Sequence, residues 1–165
     1  MTKTTNLHLN MRLEKIVINV GLGRASGQPN FTDKILPAVS EELSIITGQK
    51  PQVRTAKQSI AGFKLRAGTV VGIKVTLRGK RMDDFLKKFV NIVLPRVRDF
   101  RGIDTKAIDT NGNLTIGVKE HVVFPEISSE LIKTNFGMEI TLVPKIRNYG
   151  TSMELYKSLG IPFKK

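Results

Sequence analysis

Val71-Gly72-Ile73-Lys74-Val75-Thr76-Leu77-Arg78 decides how this chain is built. Successive side chains of an extended backbone point to opposite sides. Val71, Ile73, Val75 and Leu77 therefore share one face, and Gly72, Lys74, Thr76 and Arg78 the other. Slipping the strand by one residue would exchange the two faces, so its register is tightly set. The same two-sidedness recurs from Leu13 to Val20, where Ile16, Ile18 and Val20 oppose Lys15, Val17 and Asn19. Leu114 to Val118 and Met138 to Val143 alternate again and read as strands. Such strands belong to a sheet that is covered on one face and open on the other.

Helical spacings supply the cover. Thr32 to Thr47 places Leu36, Val39, Leu43 and Ile46 three and four residues apart, and Gly48 is a natural stop. Pro37 strains the first turns of that helix, because it has no backbone N–H to donate. Met82 to Leu94 carries Phe85, Leu86, Phe89, Val90 and Val93 on one side, with Asp83 favourably placed at its N-terminus and Pro95 breaking or kinking its end. A short helix is expected at Ile127 to Lys133. Thr151 followed by Glu154 reads as a capping box opening a last helix, which Gly160 and Pro162 close. Pro51 to Arg78 is mostly extended, with Gly62, Gly68 and Gly72 as bends. No repeat or low-complexity tract divides the chain. The expectation is a single α+β domain over residues 1–165. It has a mainly antiparallel sheet, helices packed on one face, and an open polar, basic face suited to RNA. That open face would carry Lys15, Asn19, Lys74, Thr76 and Arg78.

At 165 residues the chain can bury a core of its own. Its charge is unusual: 27 Lys and Arg stand against 14 Asp and Glu, for a net charge of +13. From Leu43 to Met82 no acid occurs, while nine bases do: Lys50, Arg54, Lys57, Lys64, Arg66, Lys74, Arg78, Lys80 and Arg81. An ordinary solvated surface mixes both signs, whereas a single-sign block is the footprint of phosphate binding. A second basic group, Lys87, Lys88, Arg96, Arg98 and Arg101, encloses one acid, Asp99. With no Cys and only His8 and His121, disulfides, thiolate chemistry and a histidine-rich metal site are excluded or demoted. Neither a metal nor a cofactor is expected. No stretch resembles a secretory signal or a membrane span.

Gly21-Leu22-Gly23-Arg24-Ala25-Ser26-Gly27 follows a strand and precedes a helix, which invites a dinucleotide-binding reading. The third Gly falls one position late, and a turn needing positive φ explains the loop better. Asp83 with Asp84, Asp104 with Asp109, and Glu120 beside His121 form no catalytic pair: neighbours on a helix do not share a face. No nucleophile–base arrangement stands out, and His121 reads as an ordinary surface or core histidine. Ile60 to Gly72, punctuated by three glycines, reads as a hairpin whose tip carries Lys64 and Arg66.

At these residues the sequence resembles the L-five family of large-subunit ribosomal proteins in its bacterial form. Matching blocks run in order: Lys15 to Gly23, Ile46 to Pro51, Ala56 to Gly72, Lys74 to Gly79, Pro95 to Gly102, Gly117 to Glu120, Phe124 to Ile127, and Ile161 to Lys165. The resemblance implies a non-catalytic, cytoplasmic ribosomal protein that binds 5S rRNA in the central protuberance of the large subunit. It also implies contact with P-site tRNA, with other proteins of the central protuberance, and with a small-subunit head protein across an inter-subunit bridge. By motif position, Asn19, Gln49, Thr76 and Arg78 match the family's 5S rRNA contacts, and Lys50 follows Gln49 in the same block. The segment Ala61 to Gly72, with Gly62, Phe63, Lys64, Leu65, Arg66 and Gly68, matches the loop that reaches towards tRNA. Two departures stand out. Members usually carry a longer N-terminal helix before the first strand, and Gln52 and Arg54 replace an aliphatic and a small hydroxyl residue. The other readings are a general RNA-binding module or chaperone, and a nucleic-acid-modifying enzyme that holds a cofactor in the Gly21 to Gly27 loop.

Overall fold

The structure, a computed structural model, describes residues 12–63, 65–127 and 134–164. The helix expected at Ile127 to Lys133 lies outside the described residues except for Ile127. Five strands form one antiparallel sheet: β1 Leu13–Gly21, β2 Gln52–Thr55, β3 Val70–Leu77, β4 Leu114–Val118 and β5 Met138–Pro144, in the spatial order β2-β3-β1-β5-β4. The four longer strands alternate in burial, β3 only from Ile73 onward, since Val71 is half-buried and Gly72 buried. Ile16, Ile18 and Val20 of β1, Ile73, Val75 and Leu77 of β3, Leu114, Ile116 and Val118 of β4, and Met138, Ile140 and Leu142 of β5 are all in the core. Their neighbours Lys15, Val17, Asn19, Lys74, Thr76, Thr115 and Thr141 are half-buried. The α+β expectation and the strand parity hold. β2, at the sheet's edge, is exposed throughout.

The chain divides into two compact units. The inner unit comprises Ile18–Val75 and Val118–Met138. Its helix α1, Leu36–Thr47, buries Val39, Leu43 and Ile46. A π-helical turn, Phe31–Ile35, precedes α1, and the N–H of Leu36 reaches back five residues to the carbonyl of Phe31. This widened turn explains how the helix tolerates Pro37 close behind it: a regular α-turn would press the ring against a carbonyl four residues back. Gly48 ends the helix in the left-handed region at φ +66, its N–H on the carbonyl of Ser44. The positive φ expected within Gly21 to Gly27 is instead taken by Asn30, at φ 68, and none of the three glycines there adopts one. Asparagine tolerates that region through its short polar side chain, so the glycines are not what the turn requires.

His121 lies wholly buried in the inner unit. Its Nε2 is 3.0 Å from Oε2 of Glu42, its ring stacks on Phe136 at 4.0 Å between centroids, and its backbone N–H bonds the Phe136 carbonyl at 3.2 Å. A buried carboxylate needs such a partner. His121 is thus a core histidine.

The terminal unit comprises Met1–Val17, Thr76–Gly117 and Glu139–Lys165. Helix α2 spans Gly79–Lys88 and continues through a π-helical turn, Phe89–Val93, into Leu94–Arg96. Pro95 follows this turn as Pro37 follows the first, and here too the chain bends its hydrogen bonding rather than breaking. Because α2 starts at Gly79, its first turn holds no acid and Asp83 falls in the second turn. The N-terminal charge role expected of Asp83 is therefore corrected. Helix α3, Tyr149–Ser158, is capped by Asn148, whose side-chain oxygen accepts the Thr151 N–H at 3.2 Å. The cap expected at Thr151 therefore lies three residues earlier. Tyr156 of α3 is fully buried and donates its hydroxyl towards the carbonyls of Gly112 and Leu142, at 2.7 and 3.0 Å.

Candidate nucleic-acid interface

In the inner unit, parity puts Asn19 of β1 and Lys74 of β3 on the side of their strands opposite the buried apolar residues, and both are half-buried. β2 extends this side. Its antiparallel register sets Gln52 opposite Lys74 and Arg54 opposite Gly72, and residues directly opposite share a face. Gln52 and Arg54, the two departures from the family's pattern, are thereby placed beside Lys74 and Gly72. Reading Pro51 to Arg78 as merely extended could not supply that register. Gly72 permits close strand pairing: a Cβ there would collide with the carbonyl oxygen of Val20, and Leu22 donates to the Val71 carbonyl at 2.9 Å. Gln49 and Lys50 follow the Gly48 stop. The buried Thr47 hydroxyl fixes the Gln49 backbone, lying 3.0 Å from its carbonyl and 3.3 Å from its N–H. Gln49 is half-buried and Lys50 exposed.

The same unit holds the β2–β3 hairpin. Ala56 and Thr69 pair at 2.8 Å, Gly68 donates to Ala56 at 2.9 Å from a φ of +85, and Ile60 and Leu65 exchange bonds of 2.9 and 3.1 Å. A 3₁₀ turn, Ala61–Phe63, forms the tip. Phe63 is 81% exposed, Gly62 and Arg66 are exposed, and Leu65 is half-buried. Lys64 lies outside the described residues. An aromatic ring so open to water is an unusual use of a large apolar side chain in a free protein, and it offers a stacking surface.

The terminal unit holds Lys15, Thr76 and Arg78. Arg78 sits one residue past β3, still extended at φ −141, and forms the N-cap of α2 before Gly79 turns the chain at φ +56. Its guanidinium is 3.4 Å from Oε1 of Glu14, and the Lys15 ammonium is 3.3 Å from the same oxygen. Hydrogen bonding and charge from Lys15, then from Arg78, hold the Glu14 carboxyl below its usual range. The side chains of Arg78 and Glu14 are 58% and 35% exposed, so water screens this pair. Glu14 is the residue that reading the sequence missed. It shares the parity of the buried Ile16, and nothing in an alternating pattern announces that two bases of the opposite parity would turn to it.

Among the described residues no group of three or more His, Asp or Glu is arranged to hold a metal ion. No described helix is long and apolar enough to cross a membrane.

Comparison with known proteins is concordant over nearly the whole chain. The family model described as ribosomal protein L5 matches residues 6–66, and the model of the same ribosomal family's C-terminus matches residues 70–163. The large ribosomal subunit protein uL5 of Carboxydothermus hydrogenoformans is 48% identical over 93% of this chain and 84% of its own length. The protein of the same name from Heliobacterium modesticaldum is 50% identical over 93% of this chain and 83% of its own. That of Halothermothrix orenii is 46% identical over 92% and 83%.

Proposed function

The chain belongs to the ribosomal protein L5 family, and from that premise we propose that it is a structural, non-catalytic constituent of the large ribosomal subunit that binds 5S rRNA. Its place of action is then the cytoplasm, in the central protuberance and beside other proteins there. The observation that carries this reading is the parity of β1 and β3. It buries their apolar side chains and leaves Lys15, Asn19, Lys74 and Thr76 half-exposed, with Arg78 exposed at the strand's end. Phosphates would meet Lys15, Lys50, Lys74 and Arg78. Asn19, Gln49 and Thr76 would hydrogen-bond 2′-hydroxyls or unstacked bases. The hairpin tip, with Phe63 open and Arg66 exposed, supports contact with P-site tRNA. The bridge to a small-subunit head protein rests on the family alone.

The test is a titration with 5S rRNA and with a structured RNA of equal length, each across a salt series. Selective binding that persists at moderate salt is the expected result. Equal binding of both RNAs that collapses with salt would replace this reading with a general RNA-binding module. Phe63→Ala should leave 5S binding unchanged while weakening P-site tRNA retention on assembled ribosomes. An unchanged tRNA off-rate would remove the tip from the proposal.

A further inference from the structure

Asn111-Gly112 lies in the terminal unit, just ahead of β4. Of the chain's nine asparagines only Asn111 precedes a glycine, and every other is followed by a larger apolar or aromatic side chain. That pair carries a chemistry of its own. A glycine nitrogen has no neighbouring Cβ to shield it, so once it has lost its proton it can attack the Cγ of the preceding asparagine. The new N–Cγ bond closes a five-membered imide, and the side-chain nitrogen leaves as ammonia. Water then opens the imide at either carbonyl. Opening at Cγ gives aspartate. Opening at the backbone carbonyl gives isoaspartate, whose main chain runs through Cβ and Cγ and is longer by one methylene.

The fold both restrains this pair and depends on it. Ile108 and Leu114 form an antiparallel bridge, the Asp109 N–H meets the Asn113 carbonyl at 2.9 Å, and the Gly112 N–H meets the Asp109 carbonyl at 2.9 Å. The Asp109 carboxylate gathers the turn. It accepts the backbone and side-chain N–H groups of Asn113 at 2.8 Å each, and bonds from the backbones of Asn111 and Gly112. The attacking nitrogen is thus committed as a donor, and the negative charge it would develop lies against a carboxylate. Asn111 itself is exposed, and among the described residues its side chain makes no hydrogen bond. Gly112 is buried at φ +80, and its carbonyl accepts the Tyr156 hydroxyl at 2.7 Å. A Cβ on Gly112 would collide with the Ser152 hydroxyl and fall 3.0 Å from the Asn148 carbonyl oxygen. The side facing α3 therefore has no room for an added methylene.

We propose that Asn111-Gly112 is a site of spontaneous imide formation and isoaspartate modification, held closed by Asp109 in the folded chain and open in a chain that has not packed this turn against α3. The modification is one-way. The lengthened main chain draws the Gly112 carbonyl away from Tyr156, and the new carboxylate lies beside that of Asp109. A marked chain no longer regains the packing of an unmarked one, so the terminal unit records time spent unfolded.

The test ages the full chain in mildly alkaline buffer, folded and in denaturing urea. Isoaspartate is located by peptide mapping with enzymatic methylation of isoaspartyl carboxylates. Modification at Asn111 should be slower in the folded chain by about tenfold or more, the factor that opening a charge-assisted hydrogen bond implies. Asn111→Ala should abolish the signal in that peptide and leave Tm unchanged. Asp109→Ala, kept below its own unfolding transition, should raise the folded rate several-fold. Should that variant fail to fold, wild type decides: exchange of the Gly112 amide proton and imide formation should rise together across a urea series. The isoaspartyl fraction, separated and refolded, should melt several degrees below the unmodified fraction. Equal rates in folded and unfolded chain, or imide formation that outruns Gly112 exchange, would overturn the proposal. So would isoaspartate that appears elsewhere but not at Asn111, or a modified fraction that melts with the unmodified one.

Discussion

Glu14→Gln should tighten binding to 5S rRNA, although it removes a residue beside the proposed interface and touches no RNA group. Arg78 and Lys15 meet one oxygen of Glu14, at 3.4 and 3.3 Å. A phosphate seated on Arg78 would then lie about 6 Å from that carboxylate. Unit charges at this separation in water repel enough to weaken binding about threefold, and salt near 0.15 M reduces this to about twofold. Arg78→Ala acts in the opposite sense. It loses a charge-assisted contact, so affinity should fall about tenfold or more and the salt slope by about 0.7 to 0.9. Lys157→Ala, on α3, should do neither. The assay is fluorescence anisotropy with labelled 5S rRNA, across salt and across pH. Lys15 and Arg78 hold the Glu14 carboxyl below its usual range, so it stays charged through neutral and mildly acidic pH. The twofold advantage of Glu14→Gln should therefore persist there and vanish only as pH falls through that lowered range. Weakening by Glu14→Gln as large as that by Arg78→Ala would refute the reasoning. Glu14 would then be positioning Arg78 for RNA rather than competing with it.

Tyr156→Phe removes the hydroxyl shared by the Gly112 and Leu142 carbonyls and should cost about 1–3 kcal/mol, seen as a Tm several degrees lower with 5S affinity intact. Burial pushes the Tyr156 phenol above its usual value of 10.0. Its contribution is therefore complete below that value and lost as pH rises beyond it, so the gap between wild type and Tyr156→Phe should narrow in alkali. Gly72→Ala drives a methyl into the Val20 carbonyl and should cost about 1–3 kcal/mol, read as a lower urea midpoint; an unchanged midpoint would mean that β1 and β3 can separate freely. Burial opposes ionisation of Asp109. Even so, hydrogen bonds from the side chain and backbone of Asn113 and from the backbones of Asn111 and Gly112 hold its carboxyl below the usual range. Asp109→Asn should therefore destabilise at neutral pH, and the difference should disappear as pH falls through the lowered value.

Period-two alternation was enough to read four of the five strands, because burial on one face of a sheet leaves an imprint at every second residue; β2, exposed throughout, carries no such imprint. Ile73, Val75 and Leu77 are buried while Lys74 and Thr76 are not, as the pattern required. Helix ends were less legible. Asp83 and Thr151 both looked like N-terminal residues, yet Gly79 and Asn148 begin their helices earlier. Residues 79–81 are glycine and bases with no apolar marker, so periodicity first registers at Met82. The prolines misled for a related reason. Pro37 and Pro95 signal disruption locally, but a π-helical turn just upstream accommodates each one, and nothing in the side-chain pattern encodes the wider turn.

The proposed interface was legible to the extent that it depends on parity and illegible where it depends on pairing across the sheet. Lys15, Asn19, Lys74 and Thr76 follow from alternation within their own strands. Gln49 lies in a turn and could be reached only through family resemblance. Gln52 and Arg54 needed the register of β2 against β3, which Val53 and Thr55 alone could not fix. Glu14 needed the position of Arg78 across the sheet, 64 residues away in sequence. The error has one direction. A block of forty residues without an acid looks more basic than the folded surface is, because long-range contacts bring acids from outside the block to its bases. Glu14 does this to Arg78, whereas among the described residues no acid does it to Arg96, Arg98 or Arg101. Counting bases along the sequence therefore overstates what Arg78 presents to an anion, and only the fold shows which base of the block is affected.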